Sequence, residues 1–168
     1  METILRERGW LREDRNSKTE IRNSEIANWT NHAAELLGPQ AETRGELTEL
    51  LELIFCYDAA ELLGADENHR VLAREGAREV IRELAHRVLD GGDVDSDRYK
   101  EIIAALKQKL PHRGRELFYP IRLALAGRAG EGELDRVILL LDRAAKLAFA
   151  VPVKSTRQRM LKFCAALD

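Results

Sequence analysis

Arginines gather in the last third of this 168-residue chain, where Arg113, Arg115, Arg122 and Arg128 stand in and beside the run GRELFYPIRLALAGRAGEGEL, Gly114 to Leu134. Lys154, Arg157 and Arg159 continue the series. A guanidinium presents a rigid fork of donors that matches phosphate oxygens and base edges, and glycine lets the backbone come close to a ligand. The chemistry open to such a set is recognition of a polyanion. A purely structural helix hairpin needs leucines, a Glu-Lys surface and one C-capping glycine, so the surplus of arginine and glycine requires a reason.

Bond-making chemistry finds no comparable set. Among His32, His69, His86 and His112 no two fall at ligand spacing with a cysteine or a third acid, so no metal is expected. Gly127, Gly130 and Gly132 lack the order of a phosphate-binding loop and no Lys-Ser/Thr pair follows them, so no nucleotide cofactor is expected either. No serine has the strand-turn-helix setting of a nucleophile elbow. Cys56 and Cys164 lie in apolar surroundings and read as small buried hydrophobes in a reducing compartment.

Charge sharpens the contrast between the two ends. The total is near neutral, with 27 Lys plus Arg against 29 Asp plus Glu. Residues 1 to 106 hold 14 basic and 23 acidic side chains, net −9, whereas residues 107 to 163 hold 13 and 5, net +8. That asymmetry argues for a polyanionic partner of the C-terminal third. The first thirty residues are charged throughout, and the apolar runs fall short of the roughly 20 residues that span a bilayer, so a cytoplasmic chain with no membrane partner is expected.

A second basic feature lies outside that third. Arg70, Arg74, Arg78, Arg82 and His86 recur at i+4 and would form one ridge along a helix, able to track phosphates. Glu75, Glu79 and Glu83 interleave with them at pairing distance, which favours a self-neutralised, solvated face.

The elements that must carry these residues are helical throughout, because apolar residues recur at three and four and no stretch alternates with period two. The fold class expected is all-α, a helical bundle in two packed subdomains, divided as an N-terminal extension over 1–30, a first subdomain over 31–90 and a second over 91–168 that carries the basic surface. Residues 1 to 22 predict a short helix or a loosely attached arm. Ser24 caps a helix to Leu37, stopped by Gly38-Pro39; one helix runs from Gly45 to about Leu63, and another from Asn68 to Leu89 with Leu72, Val80, Ile81, Leu84 and Val88 inward. Asp95 or Ser96 opens a helix to Leu110. Gly114 to Ala126 is helical with a bend or restart near Pro120, and Gly127 is its left-handed cap. Glu133 to about Ala148 and a final helix from Ser155 or Thr156 complete the chain.

With these residues in view, Gly114 to Gly127 resembles the glycine, apolar pair, Pro-Leu-Arg-Val-Ala-Leu-Thr-Gly motif in the C-terminal anticodon-binding region of bacterial class I glutamyl-tRNA synthetases. Upstream, Arg44, Leu47, Leu50-Leu51 and the Ile54 to Asp58 run are similar to that family's leucine-repeat and Phe-Phe-x-Asp segment. Downstream, Glu133 to Leu141 and Arg157 to Leu167 resemble its following and terminal helices, so the likeness covers roughly residues 31 to 167. It departs at Ala126, at Glu131-Gly132-Glu133, and at Asp142 with the insertion Arg143 to Val153.

The resemblance implies an all-helical, anticodon-binding-domain-like fold that engages the anticodon arm of a tRNA, glutamate tRNA in that family. It implies that Arg122 hydrogen-bonds the last anticodon base and that Leu134 packs against it. From the basic C-terminal third, Arg113, Arg115, Arg128, Lys154, Arg157 and Arg159 are expected to position phosphates. The His-x-Gly-His and Lys-Met-Ser-Lys-Ser motifs that a class I synthetase uses to activate an amino acid do not occur in the sequence. The expectation is therefore a stand-alone, non-catalytic tRNA-binding module. Its rivals are the tRNA-binding half of a split synthetase, joined to a separate catalytic subunit, and a helical protein-interaction module that kept the fold and lost RNA.

Overall fold

Local hydrogen-bond chemistry marks where the helices begin. Thr43 forms a capping box with Glu46, Asp58 accepts from the Ala60 and Glu61 amides, Asp95 accepts from Arg98, and Ser155 forms a second box with Gln158. Each side chain satisfies amide donors that the first helical turn leaves open, a contribution of about 1 kcal/mol apiece. The computed structural model describes residues 1–12 and 20–168; part of the expected N-terminal arm, residues 13–19, lies outside the described residues.

The described residues form ten α-helices and no strand: α1 (Glu2–Glu7), α2 (Glu20–Leu37), α3 (Arg44–Phe55), α4 (Ala59–Gly64), α5 (Asp66–Leu72), α6 (Ala77–Leu89), α7 (Ser96–Lys109), α8 (Arg115–Ala126), α9 (Glu133–Ala145) and α10 (Thr156–Leu167). The all-α expectation holds. Helix α8 lies at the centre, packed on α6, α9 and α10, while α2 and α3 cover α9 from the other side. Every residue of α8 from Pro120 to Ala126 is buried. One connected apolar core runs from Ile4 to Phe163, on both sides of the expected boundary between residues 90 and 91.

Several expected helices differ in extent. Helix α2 begins at Glu20, ahead of Ser24. The expected Gly45 to Leu63 helix is two helices, since Cys56 leaves helical geometry and Asp58 caps a new start. The expected Asn68 to Leu89 helix is also two, parted at Gly76, whose φ of 83° is left-handed. A side chain there would overlap the His112 imidazole, so the turn and the approach of His112 both require glycine. Helix α8, by contrast, runs through Pro120 without a break, and Gly127 at φ 87° caps it as expected.

The N-terminal arm is anchored where it is described. Ile4 and Leu5 are buried, Trp10 stacks on Phe55 with centroids 4.5 Å apart, and the Trp10 carbonyl accepts from the Ala150 amide at 2.8 Å. Phe55 and Phe149 meet Trp29 edge-on at 6.2 and 5.1 Å, and such pairs add about 0.5–1.5 kcal/mol each beyond area burial. The expectation for the cysteines is corrected: Cys56 is exposed where α3 ends, and Cys164 is half-buried on α10.

Candidate nucleic-acid interface

The turn between α8 and α9 is held by an arginine. Arg122 donates through Nε and Nη2 to the two Asp135 carboxylate oxygens at 2.8 and 3.0 Å, and through Nη1 to the Gly130 carbonyl at 2.8 Å. Tyr99 donates its hydroxyl to the same carboxylate at 2.8 Å, and Phe118 covers the guanidinium at 4.7 Å. Burial by itself would lower the Arg122 pKa, but the bidentate carboxylate outweighs it and raises the value. Burial and the same carboxylate push the Tyr99 phenol up, so it stays a donor.

This geometry corrects the role expected of Arg122. The side chain is 7% exposed, and its forked face is spent on Asp135 instead of being offered to a base. Leu134 is fully buried and lies so close over Gly130 that a Cβ there would sit 2.9 Å from its methyl, so it shapes the turn from inside. Beside this constellation opens a cavity of about 460 Å³ lined by Tyr99, Lys100, Gly132, Asp135 and Arg136 among others. Arg122 and Leu134 do not line this cavity; Arg122 stands behind it and holds Asp135, which does.

Four of the remaining expected phosphate contacts donate to backbone carbonyls, three of them at helix ends. Arg159 is wholly buried and donates to the carbonyls of Leu53 at 2.9 Å, Ile54 at 2.7 Å, Leu125 at 2.9 Å and Lys154 at 3.1 Å. Burial pulls its pKa down to about 10, which leaves it charged at neutral pH. Arg113 donates to the carbonyls of Lys107 and Leu110 at the end of α7, Arg157 to that of Leu89 at the end of α6, and Lys154 to that of Tyr57 at 2.7 Å. Cations at helix C-termini satisfy carbonyls that have no intrahelical partner and meet the negative end of the macrodipole. Much of the arginine surplus is thus explained by capping.

Arg115 and Arg128 donate to no carbonyl among the described residues; each meets a carboxylate near the surface. Arg115 reaches Glu131 at 3.3 Å and lies over the Tyr119 ring at 5.7 Å, and Arg128 stands 3.8 Å from Glu49. Exposed pairs of this kind hold their partners by about 0.2–1 kcal/mol, so both arginines are open to exchange for a phosphate. Asp142, which replaces a glycine of the resembling family, ties α9 to the start of α10 by accepting from the Val94 amide at 2.6 Å and from the Thr156 amide at 2.7 Å. Among the described residues, no group of three His, Cys, Asp or Glu is placed to hold a metal, and no helix is long and apolar enough to cross a membrane.

The anticodon binding domain family matches residues 9–148, and the chain belongs to it. Curated relatives agree. The glutamate–tRNA ligase of Oceanobacillus iheyensis is 30% identical over 125 residues, 74% of this chain and 25% of the ligase. That of Bacillus licheniformis is 32% identical over 115 residues, 68% of this chain and 23% of the ligase, and that of Bacillus subtilis is 28% identical over 121 residues, 72% and 24%. The chain thus spans about a quarter of the length of these relatives, in their C-terminal part. No solved structure matches it.

Proposed function

We propose that this chain is a non-catalytic module that binds tRNA at the anticodon arm, glutamate tRNA being the preferred species. Membership of the anticodon binding domain family over residues 9–148 carries the reading. Within it, Arg115, Arg128 and Arg136 flank the turn that Arg122 holds, where they meet phosphates, and the Tyr99 and Asp135 wall of the adjoining cavity meets an unstacked base. Arg122 acts as a positioning residue: it holds Asp135 and the Gly130 carbonyl in place. A separate class I synthetase chain would supply the catalytic half, and co-purification from the native host tests that partner.

One observation favours the rival protein-interaction module: Arg113, Lys154, Arg157 and Arg159 spend donors on carbonyls. Anisotropy titration of labelled tRNA across a salt series separates the two, because neutralising phosphates releases counterions and makes affinity fall as salt rises. Arg115→Gln with Arg128→Gln is expected to lower the slope of log K against log salt by about 1.4 to 1.8. No retention of tRNA by the wild-type chain at 50 mM salt would leave the interaction module as the better reading.

A further inference from the structure

A run of unpaired arginines stands on α5, the turn after it and α6, in the half whose sequence is net acidic. Arg70, Arg74, Arg78 and Arg82 are all exposed and none makes an ion pair or hydrogen bond. Of the three glutamates expected to neutralise them, Glu75 is exposed and forms no ion pair among the described residues, and Glu79 and Glu83 are engaged elsewhere. Glu79 faces His112 at 3.2 Å, and Glu83 lies between Lys109 at 2.6 Å and Arg87 at 3.1 Å, on the side of the helix that packs against α7. Like charges at i+4 cost a helix a few tenths of a kcal/mol, so Arg78 and Arg82 are a small loss to the free protein with no internal return.

The same arginines line a trough between α6 and α10. It consists of two adjoining cavities that share Arg78 and Leu167, one of about 700 Å³ bordered by Arg74 and His69, the other of about 360 Å³ bordered by Arg82, His86 and Leu89. Three acidic groups face it: Glu79, which His112 occupies, and Asp90 and Asp168, which border the second cavity. Leu63, Leu72, Leu89 and Leu167 also line it, so the arginines stand along a partly apolar floor, while the exposed large apolar residues Ile21, Val151 and Leu161 lie outside its lining. Arg78 and Arg82 stand about 6 Å apart along α6, one per four helical residues, and Arg74 precedes them on the turn before Gly76.

We propose that Arg74, Arg78 and Arg82 form a second RNA surface, separate from the α8–α9 turn, which takes successive phosphates of a nucleic-acid backbone along the α6–α10 trough. Arginine at each step suits phosphate oxygens, which accept a fork in pairs. The contact is to backbone only and carries no base preference, so it lengthens the footprint that the turn begins. This surface rests on the tRNA-binding reading above, and it fails separately.

The test uses the full chain, unfractionated labelled tRNA, and the double variant Arg78→Gln, Arg82→Gln, with Arg143→Gln on the exposed face of α9 as a control and Arg78→Lys, Arg82→Lys as a conservative pair. All three positions are exposed, and a thermal melt checks that each variant folds. The Gln pair is expected to lower the log K against log salt slope by about 1.4 to 1.8 for every tRNA alike, while the control and the Lys pair keep the wild-type slope. A Gln pair that binds with unchanged affinity and slope, while wild type binds tRNA, overturns the α6 surface and leaves the turn as the binding site. Wild type that binds poly-glutamate as tightly as tRNA, with loss only in the Gln pair, overturns it in favour of an acidic protein partner. Wild type that binds no RNA removes both surfaces at once.

Discussion

The Arg159 guanidinium stacks 4.5 Å from the centroid of the Tyr57 ring, and the two side chains finish the same helix ends. Arg159 takes the Leu125 carbonyl and Tyr57 donates its hydroxyl to the Ala124 carbonyl at 2.7 Å, both in the last turn of α8. Arg159 also takes the Leu53 and Ile54 carbonyls in the last turn of α3, and Tyr57 follows that turn directly. A buried cation without a contacting carboxylate is thereby satisfied by the negative ends of two helices. Burial pushes the Tyr57 phenol up, so it remains a donor.

Removing that cation leaves three helix-terminal carbonyls dry. Arg159→Met keeps much of the volume and is expected to destabilise the fold by about 3 kcal/mol or more, because each buried acceptor left without a donor costs on the order of 1 kcal/mol. Urea denaturation reads the loss; a midpoint within error of wild type would refute the double cap.

Arg122 and Asp135 are expected to behave as a coupled pair. A double-mutant cycle on stability with Arg122→Ala and Asp135→Asn should return a coupling of about 2 kcal/mol, near the upper part of the range for contacting residues. If Arg122 instead faces RNA in solution, the coupling vanishes and the single Arg122→Ala variant loses tRNA affinity with its stability intact.

Glu83 sets an acid limit. The hydrogen bond from Lys109 and, secondarily, that from Arg87 hold its carboxyl below the usual glutamate range against the opposing effect of burial. A folded value below the unfolded one contributes stability that is present above about pH 4.3 and is lost as pH falls through the folded value. The stability difference between wild type and Glu83→Gln, measured by denaturation, should therefore stay constant from neutral pH downwards and shrink only below about pH 4. A difference that grows on acidification would contradict the assignment.

Much of this was legible in the residues themselves. The all-α class, the caps at Asp95 and Ser155, the left-handed stop at Gly127, the inward faces of α6 and α7 and the family resemblance all follow from patterns within a turn or two of chain, since capping and amphipathicity act over three or four residues. The breaks at Asp58 and Gly76 carried local signals as well, a cap residue and a glycine, but the apolar period ran across both and concealed them.

What tertiary packing decided was which charges are free. Arg159 finds its carbonyls 105 and 106 residues away in the chain, Arg157 finds Leu89 68 residues back, and Glu79 leaves the arginines beside it for His112. The arginine-rich third therefore buries Arg122 and Arg159 and engages Arg113 and Arg157 on carbonyls, while the net-acidic half presents unpaired arginines along α6. Composition counts charges, but only the packing of helix ends against side chains settles which of them are neutralised, because a buried carbonyl or carboxylate that is left without a partner costs more than any pairing between neighbours on a solvated helix can return.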